Sequence, residues 1–153
     1  MENYYSSSMT EHQYGWDISG ADIIVLSKVV FNRLMALDIW PFQDQIVVLS
    51  CNEPVLVPNH IANEIIHISQ CSEPVQSRIL RQGVALHNTM KEQSNHYLPD
   101  YYLGSIEEYG LRYQSADMVI DKQDLILTNI IPRLKESKQT FTVGFMLAQT
   151  GDV

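Results

Sequence analysis

The segment Ser72–Ser94, SEPVQSRILRQGVALHNTMKEQS, constrains the fold most, because it has the pattern of one long amphipathic helix. Ser72 can cap its start, Glu73 complements the helix dipole, and Pro74 fits the first turn, where its missing N–H costs nothing. Gly83 costs helix stability, and we expect it to permit the close approach of a second helix. Residues that recur at helical spacing form one mainly apolar face: Val75, Ile79, Leu80, Val84, His87 and Met90.

Four further segments have apolar residues at helical spacing, and they predict a mainly α fold. Ile23–Leu37 is apolar around most of its circumference, which is typical of a central helix, although its β-branched start leaves a strand as the alternative for the first turn. The other three predicted helices are His60–Ser69, Ser105–Val119 and Leu125–Ser137. Short β segments are predicted at Ile46–Leu49 and Thr140–Leu147. We therefore expect a single compact domain of about five helices over residues 16–150, after a flexible N-terminal arm over residues 1–15.

The charge balance argues against nucleic acid as a partner. The 153 residues include 18 acidic and 10 basic side chains, giving a formal net charge of −8. The basic residues are scattered, so no basic stripe exists to neutralise phosphates. An acidic surface favours a basic protein partner through electrostatic steering, and it also keeps a protein soluble.

The sequence predicts neither a membrane span nor a signal peptide. Its longest apolar run, Ile23–Leu26, is soon followed by Lys28, Asn32 and Arg33. The start MENYYSSSMTEH has no basic region and no apolar stretch of the kind that a signal peptide needs. We therefore expect a cytoplasmic location without membrane insertion.

Three residues form the best candidate metal site. On a helix, His60, Glu64 and His67 would stand at i, i+4 and i+7 and share one face. The Glu64-x-x-His67 spacing also matches the local carboxylate–histidine motif of di-iron bundles. Such sites need a second motif and two more carboxylates, which the sequence does not provide. A small metal-dependent enzyme is therefore kept as an alternative, and an accidental grouping on a polar helix face is the simpler interpretation.

A thiol site could combine Cys51 or Cys71 with His67 or His87. Cys71 lies just before a predicted helix, and a helix N-terminus favours a thiolate, but Glu73 opposes it. Free cysteines are commonly buried as small apolar residues, which is the simpler role for both. The spacing of the two cysteines does not argue for a disulfide.

The glycines indicate no cofactor site. Gly83, Gly104 and Gly110 are isolated, so neither a dinucleotide-binding motif nor a phosphate-binding loop can be drawn. No motif of a nucleophilic serine is present either. We therefore predict no cofactor and no enzymatic activity.

Tyrosines supply the candidate surface for a protein partner. Tyrosine offers a large, rigid and amphipathic contact, which interfaces favour, although a tyrosine-rich rim of an ordinary core explains the pattern equally well. The predicted partner-binding residues are Tyr97, Tyr101, Tyr102, Tyr109 and Tyr113.

Three stretches, ILRQGVALHNTMKEQ, YYLGSIEEYGLRYQ and LTNIIPRLKESKQTFTVGFML, resemble the cytoplasmic accessory proteins of bacterial type III secretion systems. The resemblance matches Gly83–His87 to a GLALH-like stretch on an arginine-bearing helix of that family, and Leu103–Tyr113 to the helix that follows it. It implies a virulence-associated adaptor for protein transport, which bridges the secretion ring and the pod of the sorting platform. The sequence departs from the family in its shorter length and in its end, VGFMLAQT, which is not basic.

The missing reaction chemistry favours a non-enzymatic adaptor or binding protein, and the resemblance gives this role its sharpest form. An immunity protein or inhibitor that covers a basic toxin is the second hypothesis. The metal-dependent enzyme based on His60, Glu64 and His67 is the third.

Overall fold

The computed structural model describes residues 20–93, 110–125 and 138–148, which form an α/β structure around one mixed sheet. Its strands are β1 (Ile23–Leu26), β2 (Ile46–Leu49), β3 (Ile65–His67), β4 (Leu111–Asp121) and β5 (Thr140–Ala148). Its α-helices are α1 (Lys28–Ala36), α2 (Glu73–Gln93) and the single turn α3 (Lys122–Leu125). Two 3₁₀ helices, Asn59–Glu64 and Ile68–Gln70, flank β3.

The sheet has the strand order β3-β2-β1-β5-β4. Strands β3, β2, β1 and β5 are parallel, and β4 runs antiparallel to β5 at one edge. The register aligns Ile23 with Ile46 on one side and with Val143 on the other, so β1 lies at the centre. Because the central parallel strands are covered on both sides, they are continuous apolar runs and do not alternate with polar residues.

Each face of the sheet has its own core. Helix α2 packs its buried residues Val75 and Ile79 on one face, together with Val25 and Phe145. We call this the α2 face. On the opposite α1 face, Val30, Phe31 and Leu34 of α1 pack with Ile24, Leu26, Val47 and Met146. Ring contacts from Trp40 to Phe31 and to Phe42 extend this second core.

The prediction of a mainly α, helical domain is wrong, since a five-stranded sheet organises the described residues. The first error lies in Ile23–Leu37, where β1 occupies Ile23–Leu26 and α1 begins only at Lys28. Ser27 separates them, and its hydroxyl accepts a hydrogen bond from the Val30 N–H at 3.2 Å as the N-cap of α1. A buried strand and a buried helix are both apolar all round, so periodicity cannot distinguish them; only the alternative for the first turn was right.

Two more predicted helices are wrong. His60–Ser69 is a 3₁₀ helix, a strand and a second 3₁₀ turn, because Ile65 and Ile66 pair with β2. Ser105–Val119 is a strand from Leu111 onward, although residues 105–109 lie outside the described residues. Most of the predicted Leu125–Ser137 helix, and the whole predicted arm over residues 1–15, also lie outside them.

Three predictions are confirmed. The predicted Ser72–Ser94 helix is α2, and the predicted β segments are β2 and β5. Two details of the α2 prediction differ from the structure. The buried Ser72 hydroxyl has no hydrogen-bond partner and therefore does not cap the helix. Gly83 does permit a close approach, but to a strand: a Cβ atom there would lie 3.3 Å from Cε2 of Phe145 in β5.

Among the described helices, none has the length and apolarity that crossing a bilayer requires.

Candidate functional site

Four parallel strands end at the same edge of the sheet, which we call the carboxyl edge. The chain leaves β1 toward β2 and β3 on one side, and it later returns to β5 on the other side. The point between β1 and β5 is therefore the topological switch point, where open α/β sheets usually bind ligands. Residues that follow these strands are the first candidates for a site.

A repeated pattern brings two serines together at this edge. Strand β1 and Ser27 form the sequence IIVLS, and β2 and Ser50 form IVVLS. Leu26 and Leu49 are register partners, so the serines that follow them are neighbours, and the Ser50 N–H donates to the Leu26 carbonyl at 2.7 Å.

A cleft of about 90 Å³ opens beside these serines on the α2 face. Its base is formed by core residues of β1 and β5, and α2 forms its wall. The lining comprises Val25, Ser27, Ser50, Ile79, Leu80, Gly83, Val84, Phe145, Met146 and Leu147. Because Gly83 has no side chain, α2 lies close to Phe145 at this point. The cleft is therefore mostly apolar, with two serines in its lining.

Two aliphatic residues of α2 leave much of their surface in solvent at the mouth of the cleft. Leu80 is 50% exposed and Val84 is 43% exposed, one turn apart on the helix. Single exposed apolar residues are ordinary, but these two border an apolar cavity, which makes a contiguous apolar site.

A second group of side chains lies at the ends of β2 and β3. The Sγ atom of Cys51 lies 3.6 Å from Nε2 of His67, the last residue of β3. The same Nε2 lies 2.8 Å from the Glu53 carbonyl oxygen, to which the Cys51 thiol also donates at 3.1 Å. The structure thus brings together one of the cysteine–histidine pairs that the sequence suggested.

Hydrogen bonds determine which nitrogen of His67 carries the proton. The backbone N–H of Ser69 can only donate, and it points to Nδ1 at 3.1 Å. Nδ1 is therefore an acceptor, which also takes the Ser69 hydroxyl at 2.8 Å. The ring proton of the neutral imidazole then resides on Nε2 and is donated to the Glu53 carbonyl. In this arrangement His67 cannot accept the proton of Cys51, so the pair is not a thiol with its general base.

An ion pair links helix α1 to the loop after β2 that carries Cys51 and Glu53. Lys28, the first residue of α1, pairs with the Glu53 carboxylate. The hydrogen bond to Lys28 lowers the pKa of Glu53 and in turn raises the pKa of Lys28. Both side chains are largely exposed, so this contact orients the loop and adds little to stability.

The opposite, amino edge of the sheet is held together by polar contacts within the chain. The Asp22 carboxylate accepts hydrogen bonds from the Thr142 N–H at 2.9 Å and from its hydroxyl at 3.2 Å, and it pairs with Lys138 at 3.1 Å. Burial alone would raise the pKa of Asp22, but the Thr142 N–H and Lys138 more than offset it, so this pKa is lowered. Nearby, buried Gln45 donates to the Ala21 carbonyl at 2.9 Å.

The three candidate metal ligands do not form a common face. His60 is exposed on the 3₁₀ helix, Glu64 accepts a hydrogen bond from Trp40 Nε1 at 3.2 Å, and His67 lies in β3. Across residues 20–93, 110–125 and 138–148, no three histidine, cysteine or acidic side chains are grouped so as to hold a metal ion. The helical spacing that suggested the site is absent, because Ile65 pairs with β2 and leaves the helix.

The two cysteines have different surroundings, and both are free thiols. Cys71 is fully buried in the core of the α2 face, and this burial raises its pKa to about 11. Cys51 is half-buried at the carboxyl edge. His87, the other histidine considered for a thiol site, is buried on α2, and its Nε2 atom has no hydrogen-bond partner.

Of the predicted partner-binding tyrosines, only Tyr113 lies within the described residues. It is half-buried on the α1 face, where its ring lies against Gly144. The other four, Tyr97, Tyr101, Tyr102 and Tyr109, lie outside the described residues.

The cleft itself was not predicted from the sequence, because its lining comes from four separate segments. The repeated pattern of an apolar run followed by serine was the available signal, and it points to the cleft only once β1 and β2 are known to be parallel neighbours. Comparison of the chain with family models, curated proteins and solved structures gives no match.

Proposed function

We propose that this chain is a non-enzymatic binding protein, and that it holds a protein partner by enclosing one of the partner's aliphatic side chains in the carboxyl-edge cleft. The observation that supports this most is the size and lining of the cleft. Sites for small molecules and cofactors usually enclose roughly 300–1,000 Å³. A cleft of about 90 Å³ that is apolar and open fits the end of one aliphatic side chain better.

The margin of the cleft supports the same role. Exposed Leu80 and Val84 can pack around an inserted side chain, and Ser27 and Ser50 add polar residues to the lining. A central apolar anchor surrounded by contacts that exclude water is the usual arrangement of an interface hot spot. The net charge of −8 favours basic residues on either side of the anchor in the partner.

The chemistry at the carboxyl edge supports binding over catalysis. The proton on Nε2 of His67 is engaged by a carbonyl, and Cys51 lacks another general base among its described partners. A role as a type III secretion adaptor is the narrower form of this proposal. The resemblance behind it includes Gly83 and Val84, which line the cleft, but one helix that it implies is a strand from Leu111 onward.

Selection from a library of random displayed peptides on the immobilised chain tests the proposal. We expect enrichment of peptides with an aliphatic residue at one constant position, flanked by basic residues. Val84→Asp should weaken their binding about tenfold or more, since it places a charge at the apolar margin. Because Val84 is 43% exposed, the fold should tolerate this change.

Two control variants distinguish binding in the cleft from nonspecific binding to other parts of the surface. Leu56→Asp changes a leucine that is 95% exposed and does not line the cleft, so peptide binding should be retained. Cys51→Ser removes the thiol and should also leave binding intact. Equal loss in Val84→Asp and Leu56→Asp, or loss in Cys51→Ser alone, would contradict the proposal.

A further inference from the structure

The second group at the carboxyl edge has a chemistry that the proposed binding role does not use. Cys51 is the more accessible of the two described thiols, since Cys71 is completely buried. A thiolate at Cys51 would lose its bond to the Glu53 carbonyl, because a negative sulfur repels that oxygen. It would instead face the Nε2–H of His67, whose nitrogen lies 3.6 Å from the sulfur.

The donor nitrogen is held in place before any reaction. Ser69 occupies Nδ1 through both its N–H and its hydroxyl, so the ring cannot present its other nitrogen as an acceptor without losing both contacts. The side chain of Gln70 also accepts a hydrogen bond from the His67 N–H at 2.8 Å. His67 therefore keeps its proton on Nε2, where the Glu53 carbonyl accepts it at 2.8 Å and the sulfur lies 3.6 Å away, so this N–H can be shared with a negative charge on the sulfur.

Lys28 supplies a positive charge near the loop that carries Cys51. Lys28 pairs with the side chain of Glu53, two residues beyond Cys51. The hydrogen bond to Glu53 raises the pKa of Lys28, so the ammonium group stays charged and is held beside the loop that carries Cys51. A half-buried thiol beside an N–H donor can exchange with a small disulfide that reaches it from solvent.

We propose that Cys51 is a site of reversible thiol modification, at which it forms a mixed disulfide with a small thiol while His67 donates its Nε2–H to the sulfur. The Cys51 thiol first loses its proton to water. Its thiolate then attacks one sulfur of a small disulfide, whose S–S bond breaks as the new S–S bond to Cys51 forms. The other half leaves as a thiolate and takes up a proton from water. A reduced small thiol reverses the step.

Glutathione disulfide is a suitable probe, with the folded chain and mass spectrometry of the intact protein and its peptides. We expect a single glutathionyl adduct, located on Cys51 and removed by dithiothreitol. Cys71 should acquire an adduct only when urea unfolds the chain. Cys71→Ser should react at the wild-type rate, and Cys51→Ser should not react while folded. An adduct on Cys71 at a comparable rate, or no adduct on folded wild type, would overturn the proposal.

The role of His67 is tested separately from folding. His67→Ala should slow adduct formation about three- to tenfold at pH 7, as expected for the loss of one hydrogen bond to a charged sulfur. His67→Gln offers an amide N–H and should restore part of the rate. Continued protection of Cys71 shows that each variant is folded. An unchanged rate in folded His67→Ala would refute the participation of His67.

Discussion

The two ends of the sheet use their polar and apolar groups in opposite ways. At the amino edge, Asp22, Thr142 and Lys138 bind one another, and their contacts tie β1 to β5. At the carboxyl edge, exposed Leu80 and Val84 border a cleft that the described chain leaves open. The first arrangement stabilises the fold, and the second leaves surface for another molecule. Substitutions at the two ends should therefore affect different measurements.

The largest effect on stability is expected from Asp22→Ala. It leaves the Thr142 N–H without its carboxylate acceptor and removes the partner of Lys138, which should lower the free energy of unfolding by about 2 kcal/mol. Urea unfolding at pH 7 measures this loss. Asp22→Asn keeps an acceptor and should lose less. Peptide binding at the cleft should be unchanged in both variants, and a parallel loss of binding would break the distinction between the two ends.

A pH dependence of stability follows from the same carboxylate. The pKa of Asp22 is lower in the folded chain than its usual value of 3.8, so the folded state binds this proton less readily than the unfolded state. The stabilisation is therefore fully present above about pH 5 and is lost as the pH falls through 4 and below. The difference in unfolding free energy between wild type and Asp22→Ala should shrink from pH 7 to pH 3. A constant difference would show that the charge of Asp22 contributes nothing.

Gly83→Ala should have the smallest effect on stability but a clear effect on binding. Alanine favours the helix by roughly 1 kcal/mol, while its methyl group would meet the Phe145 ring at 3.3 Å and push it by a few tenths of an ångström. These effects oppose each other, so the unfolding free energy should change by less than about 1 kcal/mol. Peptide binding should weaken severalfold, because the cleft becomes smaller.

Ala85→Gly on the exposed side of α2 is the matched control for Gly83→Ala. It should cost helix stability by roughly 1 kcal/mol and leave peptide binding unchanged. The two variants change helix stability in opposite directions, so an equal loss of binding in both would show that binding responds to any change in α2 and not to the size of the cleft.

The burial pattern of β4 shows why its sequence was interpreted as a helix. Leu111 and Tyr113 pack on the α1 face, whereas Met118 and Ile120 pack on the α2 face. The pairing with β5 is irregular between Ser115 and Val119, where the strand changes the face that it buries. No single alternating stripe runs through the strand, and the resulting spacing imitates a helix.

The candidate site was harder to predict than the fold. The sequence suggested His67 with a cysteine, but it suggested His67 with His60 and Glu64 as well, on a helix that does not exist. Only the parallel pairing of β2 and β3 places Cys51 beside His67. The cleft is formed by β1, α2, β5 and the serines that follow β1 and β2, and local patterns hold no information about which of these segments lie side by side.

By itself, the sequence determined the elements whose signals are local. Helix α2 has an acidic residue and a proline in its first turn and a regular apolar stripe, β2 is a short β-branched run, and β5 alternates weakly. Only the tertiary structure decided that Ile23–Leu26 is a strand, that Gly83 meets Phe145, and that Ser27 and Ser50 stand together. The physical reason is burial on both sides: a central parallel strand is apolar all round, and only its hydrogen bonds to neighbouring strands distinguish it from a buried helix.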